Sequence, residues 1–140
     1  ILYKKSTFLE HQATLSCGKK EGYVMSSSIL NTTKKLLGIP QDYTIYDEDI
    51  IVYINSALMT LNQNGIGPSS GIQIIDSNAS WTDLVGERED QSAVQLFVYA
   101  TVRLAFDPPS TSYGLDSFRK IAEEALWRLN VQSDTEGTNK

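Results

Sequence analysis

The residues of this chain that could do chemistry are few and scattered. Asp47-Glu48-Asp49 sets three carboxylates in a row, the donor type that a divalent cation takes. Successive side chains on a helix fan out by about 100° each, so these three do not converge on one ion. At a helix start the same charges oppose the positive end of the backbone dipole, each worth about 0.3 to about 1 kcal/mol. His11 is the sole histidine and Cys17 the sole cysteine. Both fall in the first 24 residues, which leaves the rest of the chain without an imidazole base or a thiol nucleophile. Gly65-Ile66-Gly67 lacks the third glycine and the preceding strand of a phosphate-binding loop. The sequence offers no catalytic, cofactor-binding or metal-ligating set, and we read it as non-enzymatic.

Three further residues suit packing or contact. Trp81 falls in a short helical turn within a long connection and is expected to plug the edge of the core there. Arg103 is the only formal charge from Gln91 through Phe106, which fits a snorkelling or helix-capping arginine. Trp127 lies just off the apolar stripe of the last helix, where a half-exposed indole suits an interface anchor.

The elements that would position these residues are helical. Ser26-Ser27-Ser28 supplies hydroxyl caps, Ile29, Leu30, Thr33, Leu36 and Leu37 recur on one face, and Gly38 and Pro40 stop the first helix. The acidic trio opens a second helix whose stripe is Ile50, Ile51, Ile54, Ala57, Leu58 and Leu61, with Asn64-Gly65 at its end. Residues 65–89 form a turn-rich connection, long for a compact domain, with a short apolar run at 72–75. Ser80 caps one helical turn there and Gly86 stops it.

A third main helix, residues 90–106, is apolar over most of its surface through Val94, Phe97, Val98, Thr101, Val102 and Ala105. Asp107-Pro108-Pro109 ends it. The fourth, from 110–112 to about Val131, carries Leu115, Phe118, Ile121, Ala122, Ala125, Leu126 and Leu129 on one face. Glu124 and Arg128 stand four apart on its surface, an order that favours an ion pair. Residues 132–140 are polar and are expected to lack order without a partner.

The expected fold class is therefore all-α, a small bundle of about four helices with a long loop between the second and third main helices. Its expected core is Ile50, Ile54, Leu58, Leu61, Val94, Phe97, Val98, Val102, Phe118, Ile121 and Leu126.

A length of 140 residues suits one domain. The formal charge is −5, which argues against a nucleic-acid grip built on clustered Lys and Arg. A single cysteine allows no internal disulfide, and no run of about 18 apolar residues is present to span a membrane. The first 24 residues hold four Lys against two Glu, a local +2, which leaves −7 for residues 25–140. Lys20-Glu21-Gly22 can be encoded by AAG GAG GG, a bacterial ribosome-binding sequence just ahead of Met25. Residues 1–24 are accordingly expected to be translated leader, or else a flexible arm. The division expected is 1–24, a helical domain at 25–131, and the polar tail at 132–140.

Several words of the sequence, in order, are similar to one family. Leu36-Leu37-Gly38-Ile39, Asp47-Glu48-Asp49-Ile50-Ile51 with Ile54-Asn55, and Leu61-Asn62-Gln63 with Gly65-Ile66-Gly67 come first. Trp81-Thr82-Asp83-Leu84, Val102-Arg103-Leu104 with Phe106-Asp107-Pro108-Pro109, and Trp127-Arg128-Leu129-Asn130 follow. Over about residues 29–131 the chain resembles the tailed-phage head–tail connector family, also called adaptor or head-completion proteins.

The resemblance implies a structural protein, without cofactors, made in the bacterial host cytoplasm and placed at the neck of the virion. Members assemble as a ring, commonly of twelve, beneath the portal protein. The ring extends the DNA channel and offers a platform to tail-side neck proteins, the head-closure proteins. DNA would pass through the lumen without specific binding. The end carrying Trp127, Arg128, Asn130 and Val131 would meet the portal or a neighbour, and the loop carrying Ile72, Ile74 and Trp81 would reach a neighbour or the channel. The alternative is a small helical regulatory module that binds another protein through the 115–129 stripe of its last helix.

Overall fold

The computed structural model describes residues 28–86 and 91–138. The expected leader and its start at Met25, together with His11, Cys17 and Asp90, lie outside the described residues. The elements are α1 (Ile29–Leu37), α2 (Asp47–Gln63), α3 (Trp81–Val85), α4 (Gln91–Phe106) and α5 (Ser112–Thr138). Among the described residues the β structure is one isolated bridge, Ser28 to Ser80. The fold is all-α, as the periodicity predicts.

Local chemistry sets the helix ends. Ser28 Oγ accepts from the Asn31 N–H at 3.3 Å to start α1. Gly38 closes it at φ 83°, giving its N–H to the Lys34 and Lys35 carbonyls; a side chain there would be strained. Around α3, Ser80 and Asp83 form a reciprocal capping box. Thr111 Oγ1 accepts from the Gly114 N–H at 3.0 Å to start α5. Gly114 is required by space rather than by φ. A Cβ there would lie 2.7 Å from Pro109 Cβ, so the glycine lets the double-proline turn fold back tightly.

The central element is α4, which packs against α1, α2 and α5, while α2 and α5 hardly touch each other. This arrangement follows from a helix with no charge between residues 91 and 102, whose Val94, Phe97, Val98, Ala100 and Val102 are buried. Ile50, Ile54, Leu58 and Leu61 of α2 complete the core with Ile29, Leu30 and Leu37 of α1 and Leu129 of α5.

Three differences from the sequence reading have physical causes. Leu36 is exposed, and Lys34 takes its place in the buried face of α1. Phe118, Ile121 and Leu126, expected in the core, are only partly buried. They sit on a helix with α4 as its main neighbour, and Ala125 and Leu129 hold the centre of that contact. Finally α5 continues to Thr138, past the expected end at Val131. No proline interrupts the tail and its first glycine is Gly137, so nothing stops the helix earlier.

Lys34 is the least expected member of the interior. Its side chain is 1% exposed. The ammonium donates to the Gln41 and Tyr43 carbonyls at 3.0 and 2.8 Å and forms an ion pair with Asp47 Oδ1 at 2.7 Å. Two carbonyls and one carboxylate thus surround the ammonium. The linker between α1 and α2 is thereby tied to the start of α2. Tyr43 and Tyr46 continue the tie, since Tyr46 meets Phe106 of α4 edge-on at 5.4 Å.

At the same end of α4, Arg103 pairs with buried Asp107 at 3.1 Å and lies over the Phe118 ring at 5.8 Å. Its carboxylate partner directly follows α4, and its contact with the Phe118 ring links α4 to α5. Glu124 and Arg128 form no ion pair with each other in the structure, so the surface pair expected from their spacing is absent.

Two outcomes test these anchors. Asp47→Asn leaves a buried ammonium without its countercharge and is expected to cost about 2–3 kcal/mol in urea unfolding followed by circular dichroism, with Lys34→Ala costing at least as much. Asp83 is held below its ordinary value of 3.8, chiefly by accepting the Ser80 backbone N–H, then by the Ser80 side chain. A lowered carboxylate stabilises the fold above pH 3.8, and that contribution is lost as pH falls through the folded value. Melting temperature scanned from about pH 5 to about pH 2 should therefore fall less for Asp83→Asn than for the parent.

Candidate functional site

The long connection is not a free loop; it is stapled to α2. Asn55 and Asn62 stand two turns apart on α2 and face one side of it. Asn55 Nδ2 donates to the Ile74 carbonyl at 3.0 Å, and the Ile74 N–H donates back to Asn55 Oδ1 at 2.8 Å. This is the pairing a neighbouring strand would give, supplied by one side chain. Asn62 Nδ2 donates to the Pro68 carbonyl at 2.7 Å. Further along, the Ile29 N–H donates to the Ala79 carbonyl at 3.0 Å, which fixes the end of the connection beside α1.

Stapling decides which loop residues are free for contact. Ile74 and Trp81 are each 1% exposed and belong to the core with Ile66, Leu84 and Val85. Neither can serve as the loop contact the family resemblance implied for it; Trp81 fills the core edge instead. Ile72 is partly buried against the core. The next residue outward, Ile75, is 85% exposed, because pinning Ile74 inward turns its neighbour toward solvent.

Ile75 does not stand alone. Val52 and Met59 of α2 are 65% and 58% exposed and lie one on each side of Asn55 in the helix. They point away from the Ile50–Ile54–Leu61 side. Between α2 and the loop runs an open groove of about 410 Å³, lined by Asn55, Leu58, Met59, Asn62 and residues 70–73. Residues 50–75 include no Asp, Glu, Lys or Arg. A charge-free surface with solvent-facing aliphatic side chains has the composition of an interface core.

A second surface lies on α5. Trp127 is 65% exposed and Val131 is exposed one turn later. Trp127 is two residues from both Ala125 and Leu129, so it points away from α4. Arg128 is exposed beside it and Asn130 is half-buried. The opposite face of α5, the stripe from Leu115 to Leu129, is turned onto α4 through Ala125, Leu126 and Leu129. The stripe that a regulatory module would present to a partner is thus committed within the chain.

The two surfaces were unequally visible in the sequence. Trp127 and Val131 were legible as apolar residues off the stripe of an amphipathic helix. Val52, Met59 and Ile75 were not singled out, although the missing charges over residues 50–75 were a usable signal. Asn55 and Asn62 read only as polar positions beside a stripe. Their seven-residue spacing was the clue that both serve one neighbour. Among the described residues no cluster of His, Cys, Asp or Glu is grouped to hold a metal ion.

A family model described as "Phage connector protein" matches residues 29–136, which spans every helix of the structure apart from the last residues of α5. No curated protein and no solved structure matches the chain.

The staple predicts the behaviour of the loop. Asn55→Ala strips the Ile74 N–H and C=O of their partners and is expected to cost about 2 kcal/mol. Limited proteolysis should then cut within residues 65–80 well before the helices, whereas the parent should resist there.

Proposed function

This chain belongs to the phage connector protein family, and from that premise we propose that it is a structural subunit of the phage neck. On this reading copies assemble as a ring, commonly of twelve, beneath the portal protein. The ring continues the DNA channel and gives tail-side head-closure proteins a platform. It performs no reaction and needs no cofactor. What carries the reading is the extent of the family match, which covers the whole helical body rather than one motif.

The physical properties of the chain are compatible with that role. A closed ring needs two unlike faces on each subunit, and this chain carries unlike apolar surfaces on α2 and α5. Trp127, Arg128, Asn130 and Val131 would serve the portal or a neighbour. Of the residues proposed for the loop, Ile72 keeps part of its surface for that purpose, and Ile75 adds to it. The net charge of −7 over residues 25–140 would let DNA slide through a lumen without the counterion-release affinity that basic patches create. No helix among the described residues is long and apolar enough to cross a membrane.

Deletion of the gene from its phage tests the role. Electron microscopy of the lysate should show filled or partly filled heads without tails beside finished free tails, and supplying the gene in trans should restore joining. Intact infectious particles in the deletion lysate would overturn the reading.

A further inference from the structure

We propose that the groove between α2 and the stapled loop receives Trp127 of a second copy of this chain. The inference rests on the ring reading and names the contact that would close it. The two surfaces flank α4, which lies between α2 and α5. A subunit therefore cannot fill its own groove with its own Trp127, whose indole points away from the body. Two unlike surfaces on separate flanks produce a heterologous contact, which repeats from copy to copy.

The chemistry of the two surfaces matches. Leu58, Met59 and Ile72 line the groove together with the polar Asn55, Asn62, Ser70 and Gln73, which gives apolar contacts for the faces of an indole and polar ones for its edge. Asn62 donates its amide N–H to Pro68, which leaves its Oδ1 in the groove wall as an acceptor for the single N–H of an indole. Volume agrees as well, since about 410 Å³ of open space exceeds what one aromatic side chain needs and leaves room for Val131. Charge agrees at the rim. Arg128 follows Trp127 and is exposed without an ion pair among the described residues. Asp76 lies three residues beyond Gln73, the last lining residue of the groove, and is exposed and engaged with Asn78. A carboxylate beside the hole and a guanidinium beside the knob steer one orientation. Nucleic acid is a poor occupant for a groove whose described lining residues include no cation.

Cross-linking the full chain tests the contact. Cys17 is the only cysteine, so Cys17→Ser provides a background for Trp127→Cys and Met59→Cys, made singly and together. A short bismaleimide should join the two single variants when they are mixed and neither alone, and the double variant should give a ladder of adducts. In the same background, Arg128→Glu should weaken self-association about threefold by light scattering. Adding Asp76→Lys should restore it, a reversal that simple misfolding would not produce. Oligomers that form without the 127–59 adduct, or an adduct from Trp127→Cys alone, would overturn this contact and leave the ring reading standing. A chain that stays monomeric at about 1 mM would overturn the contact too, and the neck role would then be judged by the gene deletion alone.

Discussion

The ammonium of Lys34 lies inside the protein between the carbonyls of Gln41 and Tyr43 and the carboxylate of Asp47, and the assembly of the first half of the molecule follows from that site. An ion taken out of water costs several kcal/mol unless its partners replace the water it loses. Here two carbonyls and a countercharge replace that water. The ligands come from the linker and from the first residue of α2, so the charge can be satisfied only when α1, the linker and α2 are together. Asp47 serves twice, since it also stands at the positive end of the α2 dipole. With α2 fixed, Asn55 and Asn62 have a set direction, and the loop they hold can take one path. The groove and the exposed Ile75 are therefore consequences of a charge placed some two turns of helix away.

The helices were legible because their signals are local. Gly38-Ile39-Pro40, Asn64-Gly65, Ser80 with Asp83, and Asp107-Pro108-Pro109 each act within a turn, so the chain announces them without its tertiary context. Lys34 was not legible. A lysine four residues after Leu30 and three before Leu37 fits the buried stripe by spacing, but its charge assigns it to solvent until the carbonyls that receive it are known. Asn55 and Asn62 posed the same problem in neutral form, as polar groups whose partners lie across a long connection. Phe118, Ile121 and Leu126 failed in the other direction. Their spacing identifies a helix face correctly, but periodicity cannot say how much of a neighbour covers it. The candidate site divided along the same line. Trp127 stands out against a helix's own pattern and Trp81 is buried at the core edge as its place in a short helical turn suggests, whereas Ile74 was placed by long-range packing that no local pattern reports.

The distribution of charge sorts the surface into regions with different uses. Residues 50–75 and 91–102 contain no formal charge, while Asp42, Asp47, Glu48 and Asp49 gather at one end of α2, and α5 alternates both signs along its length. For α4 the neutrality is explained by burial against three neighbours. For α2 and its loop it is not, because Val52, Met59 and Ile75 face solvent. Exposed neutrality has a cost in solubility that a monomer would avoid with a few lysines or glutamates. A protein that works in an assembly needs the surface to be uncharged, since every ion desolvated at an interface core must be paired there.

Rigidity distinguishes the α2 surface from an ordinary apolar patch. A loop of this length would normally lose much conformational freedom on meeting a partner, at about 1–2 kcal/mol per residue ordered. The Asn55–Ile74 and Asn62–Pro68 bonds, the buried Trp81 and the bridge between Ser28 and Ser80 have already imposed that order during folding. The second surface is preorganised by a different means. At 27 residues α5 is about 40 Å long against about 24 Å for the 16-residue α4, and it carries its C-terminal residues on one continuous helix. Trp127 and Val131 sit one turn apart on that helix, both exposed. Two surfaces fixed to one rigid body make a fixed angle with each other, and a fixed angle between unlike faces is what converts successive contacts into a closed ring rather than a disordered aggregate.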